Sequence, residues 1–137
     1  MGYLEEISAK GQKANPFFVM MGIDPVSFGD GAAVLSMQVR PDMLNGDGWL
    51  QGGVYTALVD EAMALALITV LDPGERIATI SEATSFLSGV QDGTIRASGR
   101  VIRKGRSVAF TEGEVAGDDG QVLARTTASF AVLQPRR

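Results

Sequence analysis

The sequence predicts an α+β fold in which a curved antiparallel sheet wraps around one long central helix. Three observations carry that prediction. Leu50 to Leu71 is apolar on nearly every side, segments before and after it alternate apolar and polar residues with a period of two, and the later segments are separated by glycine-bearing turns. A helix without a polar face must be wrapped by other structure, and strands with one dry face supply the wrapping.

In chain order, Tyr3 to Lys10 reads as a short leading helix. Asn15-Pro16 reads as the start of a second, with Asn as cap and Pro at the first helical position, feeding Phe17 to Met21. Leu35, Met37 and Val39 then alternate with Ser36, Gln38 and Arg40, as in a strand with one wet face. The long apolar helix follows. Asp60 and Glu61 at its middle argue against a membrane span, where two carboxylates would be costly.

Behind the helix come four strands, Ile77 to Leu87, Thr94 to Lys104, Ser107 to Val115 and Gln121 to Leu133. Ile95, Ala97, Gly99 and Val101 share one face against Arg96, Ser98 and Arg100. The last strand sets Val122, Ala124, Ala128, Phe130 and Val132 against Arg125, Thr127 and Ser129. Between Ser107 and Val115 the alternation weakens, because Glu112 and Glu114 share a side with Val108 and Phe110, and its second half is expected to pass the sheet edge. Gln91-Asp92-Gly93, Lys104-Gly105 and Asp118-Asp119-Gly120 read as turns with glycine at positive φ, giving an antiparallel meander.

With 137 residues, 45% hydrophobic and 20% charged, the chain fits a single domain over 1–137. A net charge of −4 argues against a nucleic-acid surface. Cysteine and histidine are both absent, so thiolate nucleophiles, disulfides, Ser-His-Asp triads and imidazole metal sites are excluded. No metal or redox cofactor is expected. The first ten residues lack a basic segment followed by an apolar one, and Glu6 stands where a myristoylation signal needs Ser or Thr, so a cytoplasmic location without membrane attachment is the expectation.

Chemistry must therefore run on carboxylates, hydroxyls, amides and backbone N–H groups. Asn45-Gly46-Asp47-Gly48-Trp49-Leu50-Gln51-Gly52-Gly53 leads directly into the helix carrying Asp60. A glycine-rich helix start offers first-turn N–H groups to a polarised carbonyl or oxyanion. Asp60 lies two turns further on, about 12 Å along the axis, too far to share one carbonyl carbon with Gly52 of the same helix. Two antiparallel helices across a two-fold axis would bring the start of one to the middle of the other and make two equivalent sites. A carboxylate there would act as general base or as nucleophile, and a thioester suits it because the thiolate leaves without a strong general acid. Glu61, one residue along, is the rival carboxylate, but it points about 100° away, so the two cannot face the same carbonyl.

The run from Asn45 to Ala62 resembles the signature of hotdog-fold thioesterases related to the phenylacetate-degradation thioesterase. In that family an Asn, a Gly, a His-Gly-Gly and a Leu-x-Asp occur at the spacings of Asn45, Gly48, Gln51-Gly52-Gly53 and Leu58-Val59-Asp60. The likeness extends from about Asn15 to Leu133, leaving 1–14 as a variable N-terminal segment. It implies hydrolysis of acyl-CoA thioesters by a homodimer, or a dimer of dimers, with coenzyme A present only as part of the substrate. It assigns the Gly52 N–H to polarising the thioester carbonyl and a second copy's Asp60 to base or nucleophile. Asn45 would lie near the thioester or hold the attacking water, and Thr79 would position water. Gln51 stands where the family usually has His and would keep a hydrogen-bonding role beside Gly53, while Arg103, Lys104 and Arg106 would meet coenzyme A phosphates.

Each assignment has a structural alternative. Asp60 would otherwise be a pairing carboxylate in an interface, the glycines and Asn45 turn-formers, Thr79 a plain strand residue, and the three cations a solvated hairpin tip. Trp49 and Tyr55 read as packing. A non-catalytic acyl-CoA-binding sensor or subunit is the rival function. A hydratase would need a histidine.

Overall fold

A computed structural model describes residues 2–136; Met1 and Arg137, the two ends of the expected domain span, lie outside the described residues. The helices are α1 (Tyr3–Lys10), α2 (Pro16–Met21) and α3 (Gly52–Ile68). The strands are β1 (Ile23–Gly29), β2 (Ala32–Gln38), β3 (Arg76–Phe86), β4 (Thr94–Lys104), β5 (Val108–Ala116) and β6 (Val122–Leu133). They form one six-stranded sheet in the order β1-β2-β4-β5-β6-β3, with every pairing antiparallel.

Both leading helices form where expected. Asn15 caps α2, its Oδ1 accepting from the N–H groups of Phe17 at 3.0 Å and Phe18 at 3.3 Å. The strand before α3 runs from Ala32 to Gln38, so Val39 and Arg40 fall beyond it. β1 was not foreseen. Pro25 interrupts it, the register shifts at Val26, and Asp30 and Gly31, both at positive φ, turn it into β2.

The four later strands do not form one consecutive meander. β4, β5 and β6 do, but β3 pairs with β6 at the far edge and β2 takes the place beside β4. The cause is α3, which carries the chain across the inner face of the sheet. The 87–93 segment then returns past the start of α3, where the Leu50 N–H donates to the Val90 carbonyl at 2.9 Å.

β5 is central rather than passing the edge. Val108, Phe110, Glu112 and Glu114 all lie on the outer face, where Glu112 pairs with Arg100 across β4 and Glu114 with Arg125 across β6. Cross-strand cations, not departure from the sheet, explain the two glutamates. Gly105 also differs from expectation: its φ is not positive, and glycine is required there because a Cβ would stand 2.8 Å from the Val108 carbonyl oxygen.

The sheet closes tightly on α3. A Cβ at Gly99 would lie 2.6 Å from the Met63 nitrogen, and one at Gly113 would lie 2.6 Å from a Val59 methyl. Leu58, Val59, Ala62, Met63, Ala66 and Leu67 are fully buried in this contact. Among the described residues no helix is long and apolar enough to cross a membrane.

Candidate active site

Gln51 precedes α3 in an extended conformation and, among the described residues, no side chain caps the helix start. The Gly52 and Gly53 N–H groups are thus left open, while the Val54 N–H donates to the Gln51 carbonyl at 2.9 Å. From that start, Gly52, Thr56 and Asp60 follow one another at intervals of four along a single face. This face meets β3, which runs the opposite way, so four helical residues match two strand residues. A Cβ at Gly52 would be 3.4 Å from the Phe86 ring, the Thr56 hydroxyl meets Thr84 at 3.1 Å, and Asp60 meets Thr79 and Glu82.

Thr79 donates from Oγ1 to Asp60 Oδ1 at 3.1 Å. The contact depends on a backbone irregularity. Thr79 pairs with Phe130 and Glu82 with Ala128, both buried partners on the inner face, yet an unbroken strand would send positions 79 and 82 to opposite faces. The bulge at Ile80 adds the residue that turns both inward. Thr84 continues the polar row, bonding Thr126 at 2.9 Å.

Glu82 was not singled out from sequence. Burial, hydrogen bonding to Asp60 and the Asp60 charge push its pKa up to about 7, and its Oε2 is buried without a partner among the described residues. The one available signal was a lone carboxylate among the small and hydroxyl residues of β3; strict alternation would have put it on the face away from Thr79. Glu61 points to a different neighbourhood, close enough to Tyr3 of α1 for its charge to act on the tyrosine. Burial, then the Asp60 charge, raise Glu61 to about 7 as well.

The remaining predicted site residues divide. Asn45 closes a turn, its exposed side chain accepting from the N–H groups of Asp47 at 2.9 Å and Trp49 at 3.1 Å. Gln51 and Gly53 are exposed beside Gly52 at the helix entrance. Arg103 and Arg106 are exposed at the β4–β5 hairpin. Lys104 is turned away from them: the bulge at Ile102 puts it opposite buried Ala109, and its ammonium lies 2.9 Å from Glu75. Glu75 also accepts from the Asp72 N–H at 2.8 Å and from Gln134 at 3.0 Å, and the Asp72 and Lys104 contacts hold its pKa down. Lys104 thus completes a structural network.

Tyr55 is buried with its ring edge-on to Phe86 at 5.8 Å, and Trp49 packs on Gly89. An open cleft of about 360 Å³ beside the start of α3 is lined by Leu50, Gly52, Tyr55, Phe86, Leu87 and neighbouring residues. A larger cavity of about 620 Å³ lies on the outer face of the sheet around Arg100, Glu112, Glu114 and Arg125, and none of the candidate site residues lines it. Among the described residues no cluster of carboxylates is arranged to hold a metal.

A helix wrapped by an antiparallel sheet, with an uncapped glycine start and a hydroxyl-bonded carboxylate on one face, defines a class that the comparisons identify. The thioesterase superfamily pattern matches residues 47–124, more than half of the sequence, and the chain belongs to that superfamily. Its architecture is the hotdog fold, and the chemistry of the superfamily is thioester hydrolysis. A 1,4-dihydroxy-2-naphthoyl-CoA hydrolase of Listeria monocytogenes serotype 1/2a (strain 10403S) is 25% identical over 117 residues, 85% of this chain and 95% of that one. The conserved protein PA5202 of Pseudomonas aeruginosa matches at TM-score 0.83 and 30% identity, over 89% of this chain and 97% of its own. Thioesterase HI1161 of Haemophilus influenzae shares the fold at TM-score 0.83 and 21% identity, over 90% and 86% of the two chains.

Proposed function

We propose that this protein hydrolyses acyl-CoA thioesters to a free carboxylic acid and coenzyme A, in the branch related to the phenylacetate-degradation thioesterase. The observation that carries the reading is the α3 face with Gly52 at its open start and Asp60, bonded to Thr79, two turns along. An oxyanion site and a carboxylate about 12 Å apart cannot serve one carbonyl. Two copies with antiparallel α3 helices solve the distance, and the free edge of β3, with Ile80, Phe86 and Leu87 exposed, offers the surface on which they would meet.

In such a site the Gly52 N–H receives the thioester carbonyl and the second copy's Asp60 faces the carbonyl carbon. As a base, Asp60 takes a proton from water while the oxygen bonds to carbon; the oxyanion collapses, the C–S bond breaks, and the thiolate recovers the proton. As a nucleophile, Asp60 displaces the thiolate to form a mixed anhydride that water then cleaves. Thr79 orients the carboxylate or the water. Gln51 and Gly53 border the entrance, Asn45 shapes the loop before it, and Arg103 and Arg106 stand free to meet phosphates.

A panel of acyl-CoAs assayed for free thiol, with wild type beside Asp60→Asn, tests the reading. Turnover by wild type and its loss in the variant are expected. Binding without turnover, unchanged by the substitution, would instead identify a non-catalytic acyl-CoA sensor. Sedimentation should give a dimer or dimer of dimers; a strictly monomeric active protein would overturn the shared site.

A further inference from the structure

We infer that Glu82 is a positioning residue for Asp60, the two carboxyl groups sharing one proton so that Glu82 donates a hydrogen bond to an anionic Asp60. The inference rests on the hydrolytic reading above and extends it to a residue outside the Asn45-to-Asp60 signature.

The bulge at Ile80 is the first support. It turns both Thr79 and Glu82 toward α3, so Asp60 is approached by a hydroxyl and a carboxyl from the same strand. The second is that, among the described residues, no cation pairs with Asp60 or Glu82. Arg100 and Arg125 lie on the outer face paired with Glu112 and Glu114, and Lys104 is held by Glu75. The β6 residues opposite this part of β3 on the inner face are Thr126, Ala128 and Phe130, none of which titrates, and from α3 the titratable neighbour is Asp60. Third, Glu82 Oε2 is buried without a partner, a position costly for a carboxylate oxygen and much less so for a carboxylic acid.

Two adjacent carboxyl groups cannot both carry a charge cheaply, so one proton held between them is the favoured arrangement. In that form Asp60 has its charge, a hydroxyl bond from Thr79 and an acid bond from Glu82, which together fix the direction of its reactive oxygen. Loss of the second proton removes a donor and places a second negative charge where an oxyanion must form. Glu82 is then switched from supporting Asp60 to opposing the reaction.

Glu82→Gln and Glu82→Ala, assayed across pH with an acyl-CoA that the wild type turns over, test this. Wild-type kcat should fall above about pH 7, where Glu82 ionises. Glu82→Gln, whose amide still donates, should keep kcat within about threefold and lose that fall; Glu82→Ala should lower kcat about tenfold with little change in KM, the size of a lost hydrogen bond to a charged group. Glu61→Gln serves as the control for the other raised carboxyl and should leave the fall in place. A Glu82→Gln enzyme that keeps the alkaline fall, or a Glu82→Ala enzyme with wild-type kcat, would overturn the assignment. Carbon-13 titration of the carboxyl groups decides the pairing without any turnover. A Glu82 midpoint near 7 that drops in Asp60→Asn supports it, and a midpoint in the ordinary glutamate range of about 4.3 sinks it. An inactive wild type with a raised Glu82 midpoint would therefore remove the hydrolytic reading and leave the shared proton standing.

Discussion

The two long faces of α3 are held by opposite means. Toward β4 and β5 the helix is dry, and the sheet comes so close that Gly99 and Gly113 leave no room for a Cβ. Toward β3 it is polar, with Thr56 meeting Thr84 and Asp60 meeting Thr79 and Glu82. One face spends its contacts on packing; the other, opposite an edge strand, tolerates carboxylates because hydroxyls and solvent remain within reach. The difference implies that a change on the dry face should be read in stability and a change on the polar face in rate.

The largest test of that division is Asp60→Asn. The substitution keeps the side-chain shape and the acceptor for Thr79 but removes the base or nucleophile, so hydrolysis should fall about 10³-fold while the urea midpoint barely moves. A variant that unfolds in step with its loss of rate would make Asp60 a structural residue and erase the contrast.

Gly99→Ala reverses the signature. The added methyl would stand 2.6 Å from the Met63 nitrogen and 2.7 Å from the Ala62 carbonyl carbon, atoms of helix backbone that cannot turn aside. Destabilisation of about 3 kcal/mol is expected by urea denaturation, the upper range for overpacking, with kcat per folded molecule little changed.

A third face of α3 carries Glu61, and its raised pKa has a defined sign. The folded protein holds the Glu61 proton up to about pH 7, whereas the unfolded chain releases it near 4.5. The folded state therefore binds more protons across that window, and stability falls as pH rises from 4.5 to 7, then levels off. Glu61→Gln should remove its share of the decline, making the variant more stable than wild type at about pH 8 by on the order of 2 kcal/mol and nearly equal at about pH 4.5. Equal urea midpoints for the two proteins at about pH 8 would show that burial of Glu61 costs nothing.

The dry face was far more legible than the polar one. Period-two alternation identified β4 and β6 and their inward residues, and the apolar run identified α3, because burial leaves its mark on residue type at every position. The position of β3 was not legible: its turn and alternation fit a neighbour of β4, and only the passage of α3 across the sheet sends it to the far edge. Spacing toward Gly52 singled out Asp60, whereas Glu82 stayed hidden because a single bulged residue decides which side it faces. Lys104 was hidden in the same way, since another bulge turns it from Arg103 and Arg106 inward to Glu75. Local composition reports the regular parts of a sheet and is blind to the irregular residue that re-aims a side chain.

Thr79→Val is the finest test of the two faces. Valine matches threonine in shape and suits a strand, so the bulge and the packing against Phe130 should survive. What disappears is the hydroxyl that donates to Asp60 Oδ1 at 3.1 Å. A hydrogen bond to a charged group contributes about 1.5–3 kcal/mol, but Glu82 stands beside the same carboxyl and would retain part of its orientation. The expected outcome is a kcat lowered about tenfold, with KM and the urea midpoint near wild type. Combining Thr79→Val with Glu82→Ala should cost more than the sum of the two in free energy if each partly replaces the other as the donor that aims Asp60. Simple additivity would mean that the two β3 residues act on Asp60 independently, and a double variant no slower than Thr79→Val alone would leave Glu82 with no part in positioning it.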